Sequence, residues 1–119
     1  MRRGGDAGSS ARHPLGITTS RRGDTIVMML AGELDMAGDA RLRARVAAAL
    51  ADRPRTLVLE LSGLEFIDCT GLSIMIWARN RLDRDGATLR IRNARPMVAR
   101  VLDFGGLTRN MAGPPAAGG

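Results

Sequence analysis

The residues with most chemistry to offer lie in one short stretch, Leu64-Glu65-Phe66-Ile67-Asp68-Cys69-Thr70-Gly71-Leu72, which sets a carboxylate, a thiol and a hydroxyl side by side. Upstream, Thr56 to Leu61 carries leucines at 57, 59 and 61, the two-residue period of a strand. Downstream, Leu72 to Leu82 has helical spacing without an interior Gly or Pro. The turn between them therefore opens a helix, whose first N–H groups lack intrahelical acceptors and favour negative charge. Two chemistries suit that place. Asp68 or Thr70 can cap the helix, and a hydroxyl there can carry a phosphate.

Catalysis by the same turn lacks its partners. Cys69 stands where a thiol nucleophile would, but a Cys-x5-Arg phosphate loop needs arginine at position 75, which is Met75. The single histidine, His13, lies outside the folded region, and a chain without lysine has no GxxxxGK loop. Glu33, Asp35, Glu60 and Asp68 could converge at one end of a sheet, yet no spacing rule makes them a catalytic set. One cysteine and one histidine also fall short of the roughly four ligands of a zinc site. The expectation is a protein that is not an enzyme and uses no metal and no cofactor.

The helix after the turn adds a surface. At about 100° per residue, Leu72, Met75, Ile76 and Leu82 gather on one side as a core stripe. Thr70, Ile74, Trp77 and Arg81 gather on another, so the hydroxyl continues into a stripe with a tryptophan and an arginine, the residue types enriched in binding hot spots. Trp77 is equally able to fold onto a neighbouring helix as core.

The elements that must position this turn follow in order. Residues 1–14 are Gly-, Arg- and Ser-rich without periodicity and are expected to be a disordered leader. Leu15 to Ser20 and Thr25 to Ala31 read as a hairpin around Gly23-Asp24, the second strand apolar enough for burial on both faces. A helix near 37–51 has Leu42, Val46, Ala49 and Leu50 on one face and ends before Pro54. After the 56–61 strand and a helix near 70–83, Ala87 to Arg92 alternates as a strand. Asn93 is placed to cap a helix near 95–104, with Met97, Val98, Val101 and Leu102 buried and Gly105-Gly106 ending it. Beyond Leu107 no core-forming pattern remains, so residues 110–119 read as a tail. This order predicts one α/β domain over 15–109, with a mixed sheet of four or five strands.

Composition narrows the class. The 119 residues are 45% hydrophobic and 25% charged, ordinary for a globular domain. The formal charge of +6 comes mostly from the first 22 residues, where five arginines face one acid. The remainder is close to balance. With no tyrosine, two phenylalanines and one tryptophan, a base-stacking platform is not expected. No apolar run reaches the roughly 20 residues of a membrane span, and there is no secretory signal, so a cytoplasmic setting is the default.

Three stretches together resemble the STAS family, the fold of anti-sigma factor antagonists. Gly32-Glu33-Leu34-Asp35 matches its strand-end motif. Phe66-Ile67-Asp68-Cys69-Thr70-Gly71-Leu72 matches its Asp-x-[Ser/Thr]-Gly-Leu signature. Gly86 to Ile91, with Val101-Leu102 and Gly106-Leu107, matches its closing strand and helix. The resemblance implies that Thr70 accepts a phosphate. It also implies that the partner is an anti-sigma factor serine/threonine kinase, sequestered by the unphosphorylated form to release a sigma factor, and that a phosphatase acts on phosphorylated Thr70. Asp35, Asp68, Cys69, Gly71, Ser73, Ile74, Trp77 and Arg81 are then the expected partner-binding residues. Cys69 replaces a second hydroxyl common in the family, and the family's final helix has no clear counterpart after Leu107. Two alternatives stay open: a non-catalytic subunit of a larger lipid-transport or stress-signalling assembly, and a basic nucleic-acid-binding protein.

Overall fold

The computed structural model of the chain describes residues 13–111. Strand β1 (Gly16–Arg22) and strand β2 (Thr25–Leu34) form an antiparallel hairpin, with Gly23 at φ +57° in the turn. Helix α1 (Met36–Ala51) leads to β3 (Thr56–Ile67), α2 (Cys69–Arg84) to β4 (Thr88–Arg92), and α3 (Pro96–Phe104) and the single turn α4 (Thr108–Met111) close the chain. The sheet has the order β1-β2-β3-β4, with β2, β3 and β4 mutually parallel. The four-stranded mixed α/β sheet agrees with the sequence reading, and the three main helices fall within a residue of their expected bounds.

One core holds the fold together. Met28 and Leu30 of β2, Leu57, Leu59 and Leu61 of β3, and Leu89 and Ile91 of β4 pack in one cluster with the helices. Leu42 and Val46 come from α1, Met75, Ala78 and Leu82 from α2, and Val98 and Leu102 from α3. Several side chains correct the sequence reading. β2 is buried on one face only: Ile26, Met28 and Leu30 are inside, whereas Met29 is 50% exposed and lies on the opposite face, beside Glu60. An uninterrupted apolar run hid this alternation. Met97 is 65% exposed rather than part of the α3 stripe. Asn93 does not cap α3; it adopts φ +57°, and its amide donates to Glu60 Oε2 at 2.9 Å. Arg95 occupies the cap position without a side-chain capping bond, its extended backbone matching what Pro96 requires of its predecessor.

The long strand β3 does two jobs. Residues 56–60 pair with both neighbours, whereas the half beyond Glu60 pairs with β2 alone, through two register shifts. Helix α3 lies along that second half, and Arg95 Nε donates to the Ser62 carbonyl at 3.0 Å. Structured contacts also extend past the expected 15–109 span. Glu33 N–H donates to the His13 carbonyl, His13 Nδ1 lies 3.0 Å from Glu65 Oε1, and Asn110 donates its amide to the Leu89 carbonyl. Leu107 is fully buried, and the turn α4 that follows it packs on β4. The rest of the expected leader and tail lies outside the described residues.

Helix α2 begins directly above the strand ends because Gly71 has no side chain. A Cβ there would sit 2.6 Å from Leu34 Cδ2 and Cγ, and 3.2 Å from Ile67 Cγ1. Leu34 is fully buried and has no room to retreat. Gly71→Ala gains up to about 1 kcal/mol of helix propensity, but overpacking of this kind costs about 1–3 kcal/mol. Thermal denaturation should therefore show a lower melting temperature; an increase would contradict this packing.

Candidate functional site

Strands β2 and β3 end side by side, with Leu34 paired to Ile67. Each is followed by the same pattern, Asp35-Met36-Ala37-Gly38 and Asp68-Cys69-Thr70-Gly71. Asp35 caps α1, its Oδ1 accepting from Ala37 N at 3.1 Å and Gly38 N at 3.4 Å. Asp68 caps α2, its Oδ1 accepting from Gly71 N at 2.8 Å. Asp68 N–H in turn donates to the Leu34 carbonyl at 3.1 Å, which ties the second turn to the end of the first strand. Two helix N-termini therefore open at the same edge of the sheet.

Thr70 is the second residue of α2 and is exposed, so its hydroxyl stands free beside the helix N-terminus. The cap belongs to Asp68 rather than Thr70. Cys69 precedes it and is also exposed. Ser73 is exposed, but its hydroxyl donates to the Cys69 carbonyl at 3.0 Å, the usual back-bond of a serine inside a helix. The turn thus presents a single unengaged hydroxyl.

The other expected residues divide. Ile74 is 4% exposed and packs in the core, which corrects its place on an outward stripe. The inner face of α2 runs through Gly71, Ile74, Met75, Ala78 and Leu82, because α1 covers the flank that the stripe argument left open. Leu72 and Ile76, expected inside, are only partly buried. Gly71 is buried, so it can shape the turn without offering a contact surface. Trp77 is half-buried against the core, and the Arg43 guanidinium of α1 lies over its ring at 4.6 Å from the centroid. Arg81 is exposed and pairs with Asp85 at 3.6 Å, about 16 Å along the helix from Thr70.

Sequence reasoning missed three residues here. Met36, the first residue of α1, is 80% exposed, and Phe104, the last of α3, is 90% exposed. Phe104 is followed by Gly105, which packs on Leu72 of α2. Only the exposure of such large apolar groups marks them, and exposure is not written in a hydrophobic period. The third is Asp39 on α1, 7% exposed, with both carboxylate oxygens buried and unpartnered. Burial raises its pKa above the ordinary carboxylate value, and the charges of Asp68 and Asp35 push the same way.

The comparisons with known proteins agree with this architecture. The family model described as "Mlab, STAS domain" matches residues 17–113. The chain belongs to the STAS family. It is 31% identical over 94 residues to the Mycobacterium tuberculosis protein named "Putative anti-anti-sigma factor Rv2638", covering 77% of this chain and 64% of that one. With an anti-sigma F factor antagonist of Lysinibacillus sphaericus it shares 29% identity over 85 residues, 71% of this chain and 73% of the relative. The solved structure of the anti-sigma factor antagonist SpoIIAA, from Bacillus, in its unphosphorylated form superposes with a TM-score of 0.72 at 25% identity, covering 83% of this chain and 86% of that one. SpoIIAA has also been solved phosphorylated. Among the described residues no helix is long and apolar enough to cross a membrane.

The raised pKa of Asp39 has a thermodynamic consequence. The folded state binds this proton more tightly than the unfolded chain, so the resulting stabilisation is full below the ordinary carboxylate range. It is lost as pH rises through the raised value. The melting temperature of Asp39→Asn relative to wild type should therefore climb as pH rises above the ordinary carboxylate range. A difference that stays constant with pH would show that Asp39 is not buried as described.

Proposed function

We propose that this STAS domain is an anti-sigma factor antagonist whose binding to an anti-sigma factor kinase is switched by phosphate on Thr70. The observation that carries the reading is the one exposed and unengaged hydroxyl at the amino end of α2, held beside the Asp68 cap. The names of the relatives and the existence of a phosphorylated SpoIIAA support it. In this reading the unphosphorylated protein sequesters the kinase in the cytoplasm and releases its sigma factor, and a phosphatase acting on Thr70 resets the cycle.

The switch is electrostatic. Phosphorylation adds about −1.5 to −2 charges at neutral pH. The helix N–H groups can receive them without unfolding the turn, and Asp35 and Asp68 already make the edge acidic. A partner carboxylate docked there would be repelled, and each 1.4 kcal/mol of repulsion is about tenfold in affinity. The exposed Met36, beside the Asp35 cap, and Phe104, at the end of α3, supply the apolar contacts that a docking surface needs. Cys69, Ser73, Trp77 and Arg81 extend the same surface along α2.

A second reading, a STAS subunit of a larger assembly, draws on the outward face of α3, where Met97 and Phe104 are about two helical turns apart and both exposed. Binding to the cognate kinase separates the two. Thr70→Ala should bind it like wild type, and Thr70→Glu should bind at least tenfold more weakly while remaining folded. Phe104→Ala should also lose about tenfold in affinity with little change in stability, given its exposure. Equal binding by Thr70→Ala and Thr70→Glu would reject the switch.

A further inference from the structure

Asp39 is the one buried charged residue among the described residues, and it takes no part in capping either helix. Its carboxylate oxygens reach neither solvent nor a hydrogen-bond donor. The charges acting on it are both acidic: Asp68 from α2 and Asp35 from its own helix. The strand ends between those caps contribute the apolar Leu34 and Ile67, and Cys69, the other titratable group of the α2 turn, is exposed. No cation compensates. The arginines of α1 are engaged elsewhere, Arg41 on the Leu15 carbonyl, Arg43 over Trp77, and Arg45 on the Ile17 carbonyl and the Thr19 hydroxyl. A buried carboxylate without a donor or a counter-ion is costly as an anion and far less so as a neutral acid.

We propose that Asp39 is the proton-carrying half of the switch: negative charge placed on Thr70 drives Asp39 to take a proton from solvent. Its role in the cell rests on the phosphorylation reading above, but the coupling is a property of the fold. Thr70 lies two residues from Asp68, whose cap stands at the same sheet edge as the start of α1 and whose charge bears on Asp39 more strongly than that of Asp35. Added phosphate charge deepens the same negative field, which reaches Asp39 through a protein interior that screens it less than water does. The proton binds one Oδ as an O–H, no other bond changes, and opening of the first turn of α1 gives solvent access. By reciprocity, acid conditions favour the phosphorylated form and alkaline conditions oppose it. The antagonist would then be more easily held inactive when the surroundings acidify.

The direct test is a pH titration of the Asp39 side-chain carboxyl by carbon-13 NMR in the full chain, with wild type, Thr70→Glu and Asp68→Asn. Asp39 should titrate above the ordinary carboxylate range, shift further up in Thr70→Glu, and shift down in Asp68→Asn, whose side chain can still cap the helix. A midpoint within the ordinary range, or one indifferent to both substitutions, would overturn the proposal. Melting temperatures provide a second readout. At pH values where the introduced carboxylate is ionised, the effect of Thr70→Glu should grow less favourable with rising pH in the wild-type background and stay flat in an Asp39→Asn background; the same pH trend in both backgrounds would also overturn it. None of these measurements uses the kinase, so a failure of Thr70 to accept phosphate would leave their outcome intact.

Discussion

The bond between Asp68 N–H and the Leu34 carbonyl, at 3.1 Å, joins the ends of two parallel strands, and the site depends on that pairing. Parallel neighbours run in the same direction, so the helices that follow them must start at the same edge. Their N–H groups then converge, and the partial positive charge of two helix ends is concentrated in one place. Asp35 and Asp68 meet part of that demand through the caps. Gly38 and Gly71 allow the helices to begin close to the strands, since a Cβ on either would press on Leu15 or Leu34. What remains at the surface is a rigid turn with a free hydroxyl.

That rigidity explains why a charge switch suits this fold better than a conformational one. The residues beneath Thr70 are fully or nearly fully buried: Leu34, Leu64 and Ile67 in the strands, Ile74 and Met75 in the helix. Packed interiors resist continuous deformation. A phosphate at the helix end alters the potential that a partner meets, with the same backbone underneath. The proposed role of Asp39 extends this logic inward, because a buried acid under the field of two acidic caps would respond to the potential even though its carboxylate makes no hydrogen bond.

Much of this could be read from the residues themselves. Asp68 followed by a helical pattern marks a cap, the leucines at 57, 59 and 61 mark a core strand, and the run to Gly71-Leu72 marks the turn. Reading failed where burial depends on neighbours distant in sequence. Ile74 looked outward because the period of α2 alone cannot reveal that α1 covers its flank. Met29 looked buried because an apolar side chain on an open sheet face has the same spelling as one in the core. Asn93 looked like a cap, but it serves a left-handed bend and the carboxylate of Glu60. Asp39 gave no signal, since an aspartate near a helix start is ordinarily exposed.

The central claim, that Thr70 is the modified residue of a binding switch, is tested most directly by locating the phosphate. The full chain would be incubated with its cognate anti-sigma factor and ATP, and the modified peptide sequenced by mass spectrometry. The account predicts a single phosphate on Thr70, absent in Thr70→Ala and accompanied by release of the complex. Phosphate on Ser62 or Ser73 with Thr70 unmodified, or a complex that persists unchanged with ATP, would contradict it.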